Sequence, residues 1–217
     1  MATTLLIVLG LLVLTALVWA GWRIASRLRN LPCPVWLRWL VELDNPWARN
    51  SSSSIIAQLE LQPGMKVLDV GCGPGRVSVP IANRVGPDGE VVGIDIQMGM
   101  LRRAEERARK ANVRNVRFLQ VAAGEAKLEK NVYDRALLVT VLGEIPDREA
   151  ALKDIFDALR PGGFLSVTEI VMDPHYQRRA TITRLADGVG FREKNFSGNA
   201  LAFTLNLEKP SEARALH

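Results

Sequence analysis

The chain has 217 residues, enough for one ordinary domain with a segment to spare. Its two cysteines, Cys33 and Cys72, offer neither a disulfide framework nor a metal-binding spacing. The net charge of +5 is concentrated near the N-terminus: residues 21–50 carry five Arg against Glu42 and Asp44, and residues 51–217 hold 23 basic against 21 acidic side chains. No aromatic stacking platform accompanies these charges, so nucleic acid is disfavoured as a partner.

Residues 2–22 are uncharged and rich in Leu, Val and Ala. As a helix they span roughly 30 Å, the thickness of a bilayer core. A secretory signal calls for a basic start, a shorter apolar stretch and a small-residue cleavage site. Met1-Ala-Thr-Thr4 and Trp19-Ala-Gly-Trp22 supply none of these. An uncleaved anchor is the expectation, against the alternative of a buried core helix. All five tryptophans (Trp19, Trp22, Trp36, Trp39 and Trp47) fall between residues 19 and 47, and Trp concentrates at membrane–water interfaces. Trp36, Leu37, Trp39, Leu40 and Leu43 recur at helical spacing. They form either an interfacial segment in the headgroup region or a helix packed over the following domain. Arg23, Arg27 and Arg29 follow the span and no basic residue precedes it, so the positive-inside rule places the C-terminal part on the cytoplasmic face. The expected organisation is an anchor with its basic flank over 1–29, an amphipathic segment over 30–50 and a domain over 51–217.

Leu31-Pro-Cys-Pro34 and Asn45-Pro46 interrupt helices. Ser51 to Ser54 offer caps for a helix through Glu60, ended by Pro63-Gly64. A βα alternation follows: strand 66–70, helix 75–84, strand 90–95, helix 97–111, strand 115–121, strand 133–140, helix 147–159, strand 164–171 and helix 175–188. Two runs, 191–196 and 200–207, joined by Ser197-Gly198-Asn199, predict a closing antiparallel hairpin. The pattern predicts an α/β fold, a Rossmann-like, seven-stranded, mostly parallel sheet whose last strand is antiparallel, preceded by one transmembrane helix. The basic stretch 102–117 is a solvated helix face or a contact for anionic lipid headgroups. No repeat or low-complexity segment appears beyond the serine run.

The most informative segment is Val67-Leu-Asp-Val-Gly-Cys-Gly-Pro-Gly75. An apolar strand runs into a glycine turn and a helix start, the layout of a ligand crevice in an open parallel sheet. The dinucleotide fingerprint G-x-G-x-x-G does not fit, since the spacing is G-x-G-x-G and Arg76 stands where the third glycine would be. Asp69 just before the glycines would repel a pyrophosphate but can accept a hydrogen bond from an ammonium or a water. A cationic, phosphate-free ligand is therefore favoured over NAD or ATP. Asp95 ends the second strand twenty residues past Gly75, where such sheets place the acid for ribose hydroxyls. Pro161-Gly162-Gly163 precedes the apolar run Phe164 to Val167.

Together these segments resemble the class I S-adenosylmethionine-dependent methyltransferases, over about residues 50–209. The resemblance implies S-adenosylmethionine as cofactor, held by Asp69, Gly71, Cys72, Gly73, Gly75, Asp95 and Ile96. Many relatives carry an acid for the adenine amine after the third strand. Here Ala122 stands in its place, which leaves the backbone of Ala123 and Gly124 to read the adenine edge. Motif I, the Leu159-Arg-Pro-Gly-Gly163 turn and the length resemble the ubiquinone/menaquinone-biosynthesis, or methyltransferase-11-like, type. The anchor-plus-domain layout also resembles small membrane-bound thiol methyltransferases.

Methyl transfer from a sulfonium asks the protein mainly to align donor and acceptor and to keep water out. No catalytic motif is therefore expected and none stands out. Glu144 and His175 are the polar residues at strand ends best placed to reach an acceptor, or else they serve as caps and loop hydrogen bonds. The reading that follows is a membrane-anchored methyltransferase acting on a small or lipophilic acceptor: a quinone precursor, a lipid amine, or an apolar thiol or phenol. Its partners are the bilayer and that acceptor. The alternative is a non-catalytic S-adenosylmethionine-binding subunit tethered to the membrane.

Overall fold

The computed structural model describes residues 2–29 and 50–211. Helix α1 (Ala2–Arg29) is one uninterrupted helix of 28 residues. Its window Thr4–Gly21 has a mean hydropathy of 2.5 and buries none of its residues. By length and composition it is able to cross a membrane. The amphipathic segment expected over 30–50, with its tryptophans and Cys33, lies outside the described residues apart from Asn50.

Helix α2 (Ser52–Gln58) is capped by the Ser51 hydroxyl, which accepts from the Ser54 N–H at 3.2 Å. Then follow β1 (Lys66–Val70), α3 (Ser78–Val85), β2 (Glu90–Asp95), α4 (Met98–Lys110), β3 (Val116–Gln120), β4 (Tyr133–Val139), α5 (Arg148–Ala158), β5 (Leu159–Ile170), α6 (Arg179–Val189), β6 (Arg192–Gly198) and β7 (Ala202–Glu208). One seven-stranded sheet forms in the order β3-β2-β1-β4-β5-β7-β6. All pairings are parallel except those of β7 with β5 and with β6. The predicted sheet and its reversed last strand are both present. Strand order changes direction between β1 and β4, and the crevice at such a switch point is where open α/β sheets bind ligands.

Alternation along the strands sends side chains to both faces. Val67, Val91, Leu137 and Phe164 pack with α2 and α3 through Ile55, Leu59, Ile81, Ala82 and Val85. Leu68, Ile94, Leu138, Leu165 and Val167 pack with α5 and α6 through Leu152, Ile155, Ile182 and Ala186. With both faces covered, the central strands carry apolar side chains toward both layers, as parallel sheets require.

Three boundaries differ from the pattern-based expectation by more than a residue or two. Helix α3 starts at Ser78, because Gly75, Arg76 and Val77 complete the glycine turn first. The Pro161-Gly162-Gly163 segment is a bulge inside β5: Leu159 pairs with Tyr133 and Phe164 with Arg135, so the residues between them loop out. Gly162, at φ +80°, turns the chain there, and its N–H donates to Lys209 O at 2.8 Å. Helix α6 begins at Arg179, since residues 171–178 form a loop bound to the end of β5.

Candidate cofactor and acceptor site

The glycine turn is fixed from several sides. The N–H groups of Gly71 and Cys72 both donate to Ile94 O, at 2.8 and 3.0 Å. The Arg107 Nε of α4 donates to Pro74 O at 3.0 Å. Gly71, at φ +70°, has no room for a side chain, since a Cβ would lie 2.6 Å from both Val141 methyl carbons. Gly73, at φ +53°, is the reverse case: a Cβ there would meet nothing within 4 Å. The backbone at Gly73 therefore lies bare beside open space, as close approach of a ligand requires. Gly75 performs the packing role that the dinucleotide fingerprint gives its third glycine, with a Cβ 3.0 Å from that of Ala104 on α4.

Asp95 ties the turn to β2. Its Oδ2 accepts from the Gly73 N–H at 3.0 Å and its Oδ1 from the Gln97 N–H at 2.8 Å. Burial raises its pKa, against the backbone N–H groups of Gln97, Gly73 and Ile96. Each carboxylate oxygen keeps a second acceptor direction, so the group can hold the turn and still receive a ligand hydroxyl. Asp69 is deeper, only 3% exposed, and accepts from the Ser78 hydroxyl at 2.5 Å. Burial pushes its pKa up to about 6, opposed by the Ser78 hydrogen bond and by Arg76, with Asp95 adding to the rise. Arg76 Nη1 donates to Asn50 O at 2.8 Å, which joins the residue after the glycines to the start of the described domain.

The remaining predicted residues divide. Ile96 is half exposed at the end of β2, an apolar surface beside Asp95. The Cys72 side chain is buried, with its Sγ 3.0 Å from where a Gly93 Cβ would be. Burial holds its thiol well above the ordinary value, so only its backbone belongs to the turn. Ala123 lies in the loop after β3, partly buried against the α5/α6 core cluster. The N–H of Gly124 donates to Asp154 Oδ2 of α5 at 3.1 Å, so this donor points at α5 and does not offer itself to an adenine edge. A cavity of about 540 Å³ between α4 and β3 is lined by none of the predicted residues.

Across the switch point, the loops after β4 and β5 meet. Thr140 at the end of β4 has φ +55°, a costly conformation for a β-branched residue that is found mostly at functional sites. Its N–H donates to Thr168 O at 2.9 Å. A Cβ on Gly143 would lie 1.9 Å from His175 O, so the loops carrying Glu144 and His175 are in direct contact. His175 is buried, and its N–H donates to Asp173 Oδ1 at 2.7 Å. Sequence reading missed Glu169, which is 1% exposed, one residue before the end of β5. The Gln177 N–H donates to its Oε2 at 3.2 Å. The available signal was a single acid in the apolar run from Phe164 to Val171.

Comparison with known proteins agrees with this geometry. The methyltransferase domain family matches residues 61–196. Demethylmenaquinone methyltransferase of Listeria welshimeri is 32% identical over 108 residues, 50% of this chain and 46% of that protein. The chain thus spans about half the length of the curated relatives it matches. A SAM-dependent methyltransferase from Aquifex aeolicus has a TM-score of 0.73 at 19% identity, covering 82% of this chain and 100% of that one. The [4+2]-cyclase SpnF has a TM-score of 0.66 at 18% identity, covering 74% and 80%. Both likenesses show the fold alone, which does not set the reaction. With the family match spanning more than half of its residues, the chain belongs to the methyltransferase domain family, the S-adenosylmethionine-dependent enzymes built on this sheet.

Proposed function

We propose that the protein is a membrane-anchored methyltransferase that moves the methyl group of S-adenosylmethionine to a small lipophilic acceptor of the hydroquinone or phenol kind. The observation that carries the cofactor side is the coupling of Gly73 to Asp95 beside open space at the strand switch point. The donor supplies a methyl group on a cationic sulfur. This chain's residues fit it: Asp95 offers acceptor lone pairs for the ribose hydroxyls, Ile96 an apolar surface, and Asp69 a negative charge behind the glycine turn. The Arg107, Ile94 and Asp95 contacts hold the turn in place before any ligand arrives, which lowers the ordering cost of binding. On the acceptor side, the demethylmenaquinone methyltransferases among the relatives and the exposed apolar helix α1 support a membrane-dissolved substrate. With the span followed by basic residues, the domain faces the cytoplasm.

Deletion of residues 2–29 tests the membrane half of this reading. In phospholipid vesicles carrying a reduced naphthoquinone that lacks its ring methyl, turnover is expected to fall at least about tenfold, because anchoring concentrates enzyme and acceptor on one surface. Unchanged turnover by the deletion variant would overturn the membrane-substrate argument.

A further inference from the structure

Glu169 sits on the face of β5 that Leu165 and Val167 share, toward α5 and α6. Its Oε1 is buried and has no hydrogen-bond partner. Four such atoms occur among the described residues, the others being Ser166 Oγ, Thr183 Oγ1 and Asn206 Oδ1. Glu169 alone of these four is ionisable. A buried carboxylate without a partner is costly, and an apolar or amide side chain would serve packing better. Its location supplies a reason for it. Thr168, the residue before it, accepts at its carbonyl from Thr140, and the next residue, Val141, packs against Gly71 of the glycine turn. Glu169 is thus two strands from the cofactor turn, about 10 Å by strand spacing, at the same C-terminal edge of the sheet.

Resting on the hydroxyl-bearing acceptor proposed above, we propose that Glu169 is the catalytic base of the acceptor site, taking the hydroxyl proton through Oε1. In this proposal the loops that meet at Gly143 and His175 part to admit the acceptor hydroxyl to Oε1. As the O–H bond breaks, its proton goes to Oε1 and its electron pair stays on the acceptor. The acceptor's oxygen, or the ring carbon it activates, then forms the bond to the methyl carbon. The methyl–sulfur bond breaks onto sulfur, which loses its positive charge. Where carbon is methylated, the ring proton leaves afterwards to water.

The surroundings set Glu169 for this task. Burial pushes its pKa up to about 8; the Gln177 N–H and Arg148 oppose the rise, and Asp173 and Glu144 add to it. A base whose pKa lies near the working pH is the efficient one. The groups facing it are Glu144 and Arg148 from the β4–α5 connection and α5, with Asp173 and Tyr176 from the loop after β5.

Glu169→Gln, Glu169→Asp and the unchanged full-length protein decide the matter. They are compared in phosphatidylglycerol vesicles with the same demethylated, prenylated naphthohydroquinone kept reduced. For Glu169→Gln, kcat is expected to drop about 100-fold or more, with KM and the calorimetric affinity for S-adenosylmethionine within about twofold. The ascending limb of kcat near pH 8 is expected to vanish in Glu169→Gln and to persist in Glu169→Asp. Independently of turnover, infrared difference spectra of the unchanged protein should show a protonated carboxyl that ionises near pH 8 and is missing in Glu169→Gln. A kcat within about threefold of the unchanged protein, or no such ionisation, overturns the role of Glu169. If the unchanged protein binds S-adenosylmethionine but does not methylate the hydroquinone, the acceptor reading fails, and this inference fails with it. Should Glu169→Gln fail to fold, the infrared titration and the Glu169→Asp pH profile still decide.

Discussion

The Gly73 N–H donates to Asp95 Oδ2 at 3.0 Å, so the acid that ends β2 fixes the glycine turn that ends β1. The ends of two neighbouring strands are thereby locked together. Replacing Asp95 by Asn leaves one oxygen for two amides, and a buried donor without a partner costs about 1–3 kcal/mol. Hydrogen exchange at Gly73 or Gln97 is expected to accelerate, and S-adenosylmethionine affinity to fall at least about tenfold. Unaltered affinity by calorimetry would remove Asp95 from the site.

Gly71 and Gly73 separate stability from binding. At Gly71 an added methyl meets Val141 at 2.6 Å in a left-handed conformation, so Gly71→Ala is expected to destabilise the unliganded fold by about 2–4 kcal/mol. Combining it with Val141→Ala should recover part of that loss. Gly73→Ala meets no neighbour, so only the conformational cost of about 1 kcal/mol remains. Its methyl enters the open space, however, and cofactor binding should fail. Urea midpoints and calorimetry on the two variants read the contrast. Equal effects on both measures would contradict it.

Asp69 predicts a pH dependence. Its folded-state pKa of about 6 lies above the ordinary 3.8, so the folded state binds the proton more tightly than the unfolded chain. The stability tied to this group is fully present below about pH 4 and is lost as pH rises toward about 6. Two units correspond to roughly 3 kcal/mol, an upper bound for a fully buried group. Asp69→Asn keeps an oxygen for the Ser78 hydroxyl. It is expected to raise the urea midpoint of the unliganded protein at neutral pH and to show no gain below about pH 4. The same variant should bind S-adenosylmethionine more weakly, a stability cost retained for function. A gain that persisted undiminished into acid would contradict this assignment.

Arg76 is expected to couple the entry of the domain to the glycine turn. Arg76→Ala removes the charged donor to Asn50 O and should cost about 1–2 kcal/mol. Faster exchange or earlier proteolysis near residues 50–52 would locate the loss. A denaturation midpoint equal to that of the unchanged protein would show the contact to be dispensable.

Much of the sheet was legible because its signals are local: apolar strands, glycines after Val70 and an acid at Asp95. The pattern says less where tertiary contacts decide. Helix α3 starts late because the turn uses Gly75 to Val77 for packing against α4 and for the Arg76 contact. The Pro161-Gly162-Gly163 segment reads as a plain turn, yet pairing of Lys209 with Gly162 and Gly163 absorbs it into β5. The Gly124 amide is engaged by Asp154, thirty residues away, which no pattern near Gly124 reveals. The burial of Glu169 leaves no mark in the sequence spacing, because burial at a strand end depends on loops that spacing does not position.

The measurement that bears most directly on the proposed function uses the full-length protein with methyl-labelled S-adenosylmethionine and total membrane lipid, followed by mass spectrometry of the lipid extract. Label in an apolar hydroxyl-bearing or quinone-type product, lost in Gly73→Ala, is the expected result. Tight binding of S-adenosylmethionine with no label in any lipid would contradict a lipophilic acceptor and point to a binding subunit.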